Sequence, residues 1–126
     1  MAYAYDDQNI FAKILRGEIP NDTVLETQHS LAFRDINPGA PSHVLVIPKG
    51  PYVNFDHFSS DASDEEITDF IRAVGEVAAA EKLTQAGDGN GYRLISNAGP
   101  DGVQEVPHLH IHVLGGKVLG RMLPNA

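Results

Sequence analysis

The sequence predicts an α+β fold with a mainly antiparallel sheet of about five strands, one long helix and one short helix. Strand-like segments outnumber helical ones, and the long helical pattern lies between groups of strands instead of alternating with single strands. A chain of 126 residues is long enough for one core and too short for two ordinary domains. We therefore expect one domain over residues 1–126, with an N-terminal extension (1–8) and a C-terminal tail (115–126).

The first predicted elements are a short helix and a hairpin. Ile10, Phe11, Ile14 and Leu15 recur at helical spacing and Gly17 suits a left-handed cap, which predicts a helix over residues 9–16. Strands follow over residues 23–26 and 30–35. A loop rich in proline and glycine covers residues 37–41, and the apolar run 43–48 is typical of a strand covered on both faces.

The long helix begins at a capping box. Ser63 stands three residues before Glu66, and an apolar stripe that includes Phe70, Val74 and Val77 continues to about Lys82. A strand is predicted over residues 92–97, and a glycine-bearing loop over 98–106 leads to a last strand that begins at residue 108. We expect loops 37–42 and 97–106 to form the walls of a site.

Composition and charge exclude several classes of function. The chain has 9 Lys plus Arg, 17 Asp plus Glu and a net charge of −8, so its field repels long nucleic acid, although a small phosphate ligand held by local donors is allowed. Without cysteine there is no disulfide, thiolate metal site or cysteine nucleophile. The opening residues lack a basic start and an apolar run, and no window holds about 20 apolar residues. We expect no secretion signal, no membrane partner and a cytoplasmic location.

The most informative stretch holds three of the chain's six histidines, at positions 108, 110 and 112. Successive side chains of a strand point to opposite faces, so His108, His110 and His112 share one face, while Leu109 and Ile111 share the other. Neighbouring imidazoles on this face are therefore about 6.6 Å apart along the strand. Such a cluster is a candidate for chemistry.

Two kinds of chemistry compete for these histidines. Three imidazoles plus water form a known catalytic zinc pattern, but on a straight strand the outer two Cα atoms lie about 13 Å apart, against metal–nitrogen bonds of about 2 Å. Alternatively, a neutral imidazole attacks an electrophile while a neighbour on the same face supplies a proton to the leaving group. A phosphoryl centre suits this role, because Ser96, Asn97 and backbone amides of residues 99–102 are positioned in sequence to donate to its oxygens.

The histidine stretch also resembles a known motif. Residues 108–116, His-Leu-His-Ile-His-Val-Leu-Gly-Gly, are similar to the motif of the histidine triad (HIT) family and its Hint branch. Segments 10–20, 32–36, 40–49 and 97–102 are also similar to segments of that branch. The resemblance therefore covers nearly the whole chain.

The resemblance implies a fold, an activity and catalytic roles. It implies a homodimer in which two five-stranded sheets join, and hydrolysis of purine nucleoside phosphoramidates to the nucleoside monophosphate and an amine. His110 would be the nucleophile that forms a nucleotidyl-histidine intermediate, and His112 would contact the phosphate and assist the leaving group. His108 and His43 would orient groups within the site. The scheme requires no metal and no cofactor.

The resemblance also implies positions for the purine nucleotide. Asp35 would bind the ribose hydroxyls, a role that suits an acceptor-only carboxylate, and Ile36 would lie beside the base. The residues that would flank the phosphate are Asn97, Gly102, Gln104, Glu105 and Val106. Glu105 is a departure, because the Hint branch commonly has serine or threonine there. We expect its charge to lower turnover or to favour a cationic amine leaving group.

Other functions share these features. A dinucleoside polyphosphate hydrolase or nucleotidyl transferase of the same family would use the same triad, although transferases of the group usually replace the last histidine with glutamine, whereas His112 is intact. A non-catalytic nucleotide-binding regulatory protein is the third alternative. Release of the amine separates an enzyme from a binding protein.

Overall fold

The fold places five strands in one antiparallel sheet, with helices on both faces. The computed structural model describes residues 3–123, and within them no helix is long and apolar enough to cross a membrane. The strands are β1 (Thr23–Glu26), β2 (Ser30–Arg34), β3 (Ser42–Pro48), β4 (Tyr92–Ile95) and β5 (Ile111–Gly115), in the sheet order β1-β2-β3-β5-β4. The helices are α1 (Ile10–Leu15), α2 (Phe55–Asp61) and α3 (Asp64–Ala80). The predicted α+β class and five-stranded antiparallel sheet are confirmed.

The long helix α3 begins as its sequence predicts. The Ser63 hydroxyl accepts from the Glu66 amide at 3.1 Å, and the Glu66 carboxylate accepts from the Ser63 amide at 3.1 Å. These two bonds satisfy donors that a helix start leaves unpaired. Beyond the cap, Phe70 and Val77 are fully buried against the sheet. The capping-box prediction is therefore confirmed.

Two apolar clusters hold the sheet between its helices. On one face, Val44, Val46 and Val113 pack with the buried side of α3. On the other face, Leu45 and Phe11 belong to a smaller cluster that includes α1. Leu45 is the register partner of His112, and paired antiparallel residues share a face. The histidine side of the last strand therefore faces α1, away from the larger core.

The helix count in the prediction is wrong, because a second short helix, α2, precedes α3. Its N-cap is Asn54, whose side chain accepts from the His57 amide at 3.0 Å, and Phe58 anchors it in the core. The segment is only seven residues long and has a single buried residue. Such a segment gives a weak periodic signal, so the sequence does not predict a helix there.

The predicted start of the last strand is also wrong. β5 begins at Ile111, not at residue 108, so His108 and His110 precede it. The Leu109 amide donates to the Tyr52 carbonyl at 2.8 Å and the His108 amide donates to the Val106 carbonyl at 2.8 Å. Because these donors are directed away from the sheet, the ladder cannot include them. The alternation of faces nevertheless holds, since Leu109, Ile111 and Val113 all lie in the core beneath α3.

Candidate functional site

A cavity of about 630 Å³ opens on the α1 face of the sheet, where β5 receives the histidine stretch. Its apolar part includes Ile14, Ile19 and Leu45, and its polar part includes His110 and His112. A second cavity, of about 620 Å³, lies between segments 82–93 and 116–120, and its described lining residues include no imidazole. The two cavities have nearly the same volume. We therefore identify the first as the candidate site because His110 and His112 line it.

His110 presents one bare ring nitrogen to this cavity. Its Nδ1 lies 2.8 Å from the His108 carbonyl oxygen, and a carbonyl only accepts, so the hydrogen-bond network assigns the proton to Nδ1. Nε2 then carries a lone pair. Burial lowers the pKa of the His110 imidazole, and the ring is only 7% exposed, so it is neutral at neutral pH. The edge-on ring of Phe11, with centroids 5.0 Å apart, fixes the orientation of the imidazole.

His43 fixes the tautomer of His112. The Gly39 amide donates to His43 Nδ1 at 2.9 Å, so the His43 proton is on Nε2. That Nε2 lies 2.9 Å from His112 Nδ1, which must therefore accept, leaving the His112 proton on Nε2. Burial, followed by the neighbouring His110 and His43, lowers the pKa of His112 to about 4. His112 is thus a neutral ring with one N–H available to a ligand.

His108 stands behind the cavity wall and supports it. The ring is fully buried, and its Nε2 lies 2.8 Å from the Pro48 carbonyl oxygen, so Nε2 carries the proton. Nδ1 is left to accept from the Tyr5 hydroxyl at 2.6 Å. Burial lowers the pKa of His108 to about 4, and burial raises the pKa of Tyr5, so both groups stay neutral and keep these roles. His108 therefore acts in the site through its backbone carbonyl, which holds His110.

Asp35 and Ile36 lie side by side at the cavity edge, after the end of β2. One oxygen of the Asp35 carboxylate accepts from the Asn37 amide at 2.8 Å, and the other lies 3.4 Å from His43 Nε2. The Ile36 side chain is 88% exposed, although it is apolar. The pair offers a bound molecule one acceptor and one apolar surface.

The loop 97–106 supplies much of the opposite wall. Asn97, Gly102 and Val106 line the cavity together with Glu105, which is exposed. Burial lowers the pKa of His110, and the negative charge of Glu105 partly opposes that lowering. Gln104 is outside the lining, and its amide donates to the Val53 carbonyl at 2.6 Å and to the Val106 carbonyl at 3.0 Å. Gln104 therefore fastens the loop. Loop 37–42, the other expected wall, is absent from the cavity lining and supports it through two backbone amides, those of Asn37, which donates to Asp35, and Gly39, which donates to His43.

The groups best placed to hold a metal ion differ from the three histidines of the sequence pattern. Donor atoms of Asp35, His43 and His112 all lie within 4.8 Å of one another. Two imidazoles and a carboxylate are ligand types that zinc accepts. The hydrogen bond between His43 and His112 already accounts for most of this proximity.

No sequence pattern marks Tyr5 as part of the site, and the pattern around Phe11 indicates only a helix. Tyr5 reaches His108 from 103 residues away, and no local pattern signals such a contact. Phe11 lies edge-on to both His108 and His110. His29 and His57 are half-buried on other parts of the fold.

Residues 16–119 match the model of the HIT domain. The chain belongs to the HIT family. This HIT protein is 58% identical over 123 residues to a 13.2 kDa HIT-like protein of Azospirillum brasilense whose activity is uncharacterised, with 98% of each chain covered. It is 39% identical over 117 residues to the purine nucleoside phosphoramidase of Escherichia coli K12, which covers 93% of this chain and 94% of that protein.

Solved structures place this HIT protein among the same relatives. A HIT family hydrolase from Legionella pneumophila matches with a TM-score of 0.78 and 40% sequence identity, over 88% of this chain and 95% of that one. The predicted histidine-triad resemblance is therefore confirmed as family membership.

Proposed function

We propose that this HIT protein hydrolyses the P–N bond of purine nucleoside 5′-phosphoramidates through a nucleotidyl-histidine intermediate. The observation that carries the proposal is the tautomer of His110, whose bare Nε2 faces a cavity while its Nδ1–H is held by the His108 carbonyl. Kinship with a purine nucleoside phosphoramidase and with a HIT family hydrolase supports the same reaction class.

The first step transfers the nucleotide to the protein. His110 Nε2 attacks the α-phosphorus, a P–N bond to the imidazole forms, and the P–N bond to the leaving amine breaks. His112 holds its Nε2–H beside the reacting phosphoryl group, where it donates to the phosphoryl oxygens or directs a solvent proton to the departing nitrogen. The amine leaves neutral, having gained one proton.

The second step restores the enzyme. Water attacks the phosphorus, the bond to His110 Nε2 breaks, and the nucleoside monophosphate leaves. The attacking water loses one proton to solvent, which balances the proton taken up by the amine. We propose that Asp35 accepts from the ribose hydroxyls and that Ile36 and the apolar part of the cavity hold the purine.

The test is release of amine from an adenosine 5′-phosphoramidate, measured beside a diadenosine polyphosphate and beside AMP binding by calorimetry. The proposal expects release of AMP and amine, with the polyphosphate cleaved far more slowly. Heat of binding without amine release would indicate a binding protein, and faster cleavage of the polyphosphate would indicate the other hydrolase.

A strong chelator should leave the rate unchanged, and loss of rate would restore a metal role for Asp35, His43 and His112.

Glu105 is expected to shape the choice of leaving amine. Its carboxylate is exposed at the cavity near His110, so it repels an anionic phosphoryl group and attracts a cationic amine. At the dielectric of bulk water such a charge is worth about 1 kcal/mol at a separation of about 4 Å, or about fivefold in rate. We expect Glu105→Ser to raise kcat/KM for a neutral-amine phosphoramidate and to lower it for a lysine-like one. Equal kinetics of both proteins on both substrates would discard this role.

We also propose that two copies pair through β4. This strand is at the edge of the sheet and exposes Tyr92 (47%), Leu94 (46%) and Ile95 (38%) next to unpaired backbone groups. Such an edge is a template for another strand. Sedimentation at micromolar concentration should give a dimer, and Leu94→Lys should shift the protein toward monomer. A wild-type monomer under those conditions would refute the pairing.

A further inference from the structure

One side chain of the cavity is held in a conformation that its residue type disfavours. Val103 has a φ of +55°, and within residues 3–123 the only other non-glycine residue with positive φ is Lys82. A β-branched side chain in the left-handed region is strained, because its branches approach the backbone. Strain of this kind clusters at functional sites, where neighbouring structure maintains it.

The bonds of the loop 97–106 maintain this conformation. The Val103 amide donates to the Pro100 carbonyl and the Gln104 amide donates to the Gly99 carbonyl, both at 3.1 Å. On one side Gln104 is fastened to the Val53 carbonyl, and on the other a Cβ at Gly102 would lie 2.6 Å from the Ala98 carbonyl oxygen. These contacts leave the backbone of the loop little freedom to relieve the positive φ of Val103, so the direction in which its side chain leaves the backbone is fixed.

That isopropyl group lies on the cavity wall without packing in the core. Val103 lines the cavity and is 67% exposed, whereas Val106, three residues later, packs against the cluster of Phe11 and Leu45. Gly102, directly before Val103, and Glu105, two residues after it, line the same cavity. Val103 thus adds an exposed apolar surface to the wall that loop 97–106 contributes to the cavity.

The in-line geometry of phosphoryl transfer indicates which part of the substrate lies near Val103. The nucleophile and the leaving group lie on opposite sides of the phosphorus, so an amine displaced by His110 points away from that ring and toward the outer rim of the cavity. Val103 and Glu105 are exposed at the cavity on loop 97–106. We propose that Val103 is a specificity-determining residue that contacts the leaving amine and favours amines carrying an apolar or aromatic group.

This inference rests on the proposed phosphoramidase function, and its test uses two substrates that differ only in the amine. Adenosine 5′-phosphoramidates of phenethylamine and of methylamine are compared with wild type, Val103→Ala and Val103→Gly. Wild type should prefer the phenethylamine substrate. Both variants should lower the ratio of kcat/KM for phenethylamine over methylamine by about fivefold, less than one methylene is worth in a closed pocket because the rim is open.

The two variants and one control separate contact from strain. Val103→Ala removes the methyl groups but keeps a Cβ at positive φ, whereas Val103→Gly removes both side chain and strain. Lys82→Gly relieves positive φ away from this cavity and should leave the ratio unchanged. An unchanged ratio in Val103→Ala, with both substrates still hydrolysed, overturns the contact with the amine. If wild type hydrolyses neither substrate, the proposed function itself fails, and this inference fails with it.

Discussion

His110→Ala is expected to lower phosphoramidate turnover by about 10⁴-fold or more, the loss seen when a covalent nucleophile is removed. The expectation follows from the structure of the site, in which His110 Nε2 is the ring nitrogen left bare by the hydrogen bond to the His108 carbonyl. His112 is unsuited to replace it, because its own network leaves a proton on Nε2. Single-turnover assays of amine release measure this loss.

Nucleotide binding should survive the same change. The apolar part of the cavity and Asp35 are untouched by His110→Ala, so AMP affinity measured by calorimetry should be largely unchanged. His29→Gln provides the matched control, since His29 lies on another part of the fold, near Glu65 and Asp69. The control should keep wild-type turnover. If His110→Ala retained most of its activity while binding AMP, His110 would lose the role of nucleophile.

His43→Ala should give the second largest loss, about 10–100-fold in kcat, as is typical when a partner that orients a reactive imidazole is removed. In the wild-type protein the Nε2–H of His43 donates to Nδ1 of His112, so the His112 proton must be on Nε2. Without His43, the His112 proton can occupy either ring nitrogen. Nitrogen chemical shifts of the His112 ring should show one tautomer in wild type and a mixture in the variant. A single tautomer in the variant, with kcat unchanged, would contradict this positioning role.

His43→Ala should also change the pH dependence of kcat, and the direction of the change follows from the burial of His112. The pKa of His112 is lowered to about 4, so this ring is neutral at pH 7 and its own contribution to the acid limb of kcat should appear only below about pH 5. His43→Ala removes one of the groups that depress this pKa and admits water. The pKa of His112 then rises toward its ordinary value, and the acid limb of kcat moves to higher pH. His57→Ala, outside the cavity, should leave the profile in place.

Local sequence signals predicted those parts of the fold whose cause is local. The capping box of Ser63 and Glu66 marks the start of α3, and the run of β3 has the apolar character of a buried strand. The short α2 and the late start of β5 depend on the core position of Phe58 and on the hydrogen bond from Leu109 to Tyr52. Both involve distant partners, which periodicity does not encode.

For the candidate site, too, the sequence predicts the local features and not the long-range contacts. The sequence places His110 and His112 on one face, because they are two positions apart on an extended chain. It does not show that His43, 69 residues earlier, meets His112, or that Tyr5 meets His108. Nor does it show the positive φ of Val103, because that conformation is imposed by the bonds of its loop.

The covalent intermediate is the central claim, and intact-mass spectrometry tests it most directly. His112→Asn is mixed with an adenosine phosphoramidate, so that attack by His110 proceeds while its resolution by water is slowed. We expect a mass increase of one adenylyl group that maps to His110, and no increase when His110→Ala is added to the same variant. An unmodified mass throughout a reaction that still releases amine would contradict the nucleotidyl-histidine route.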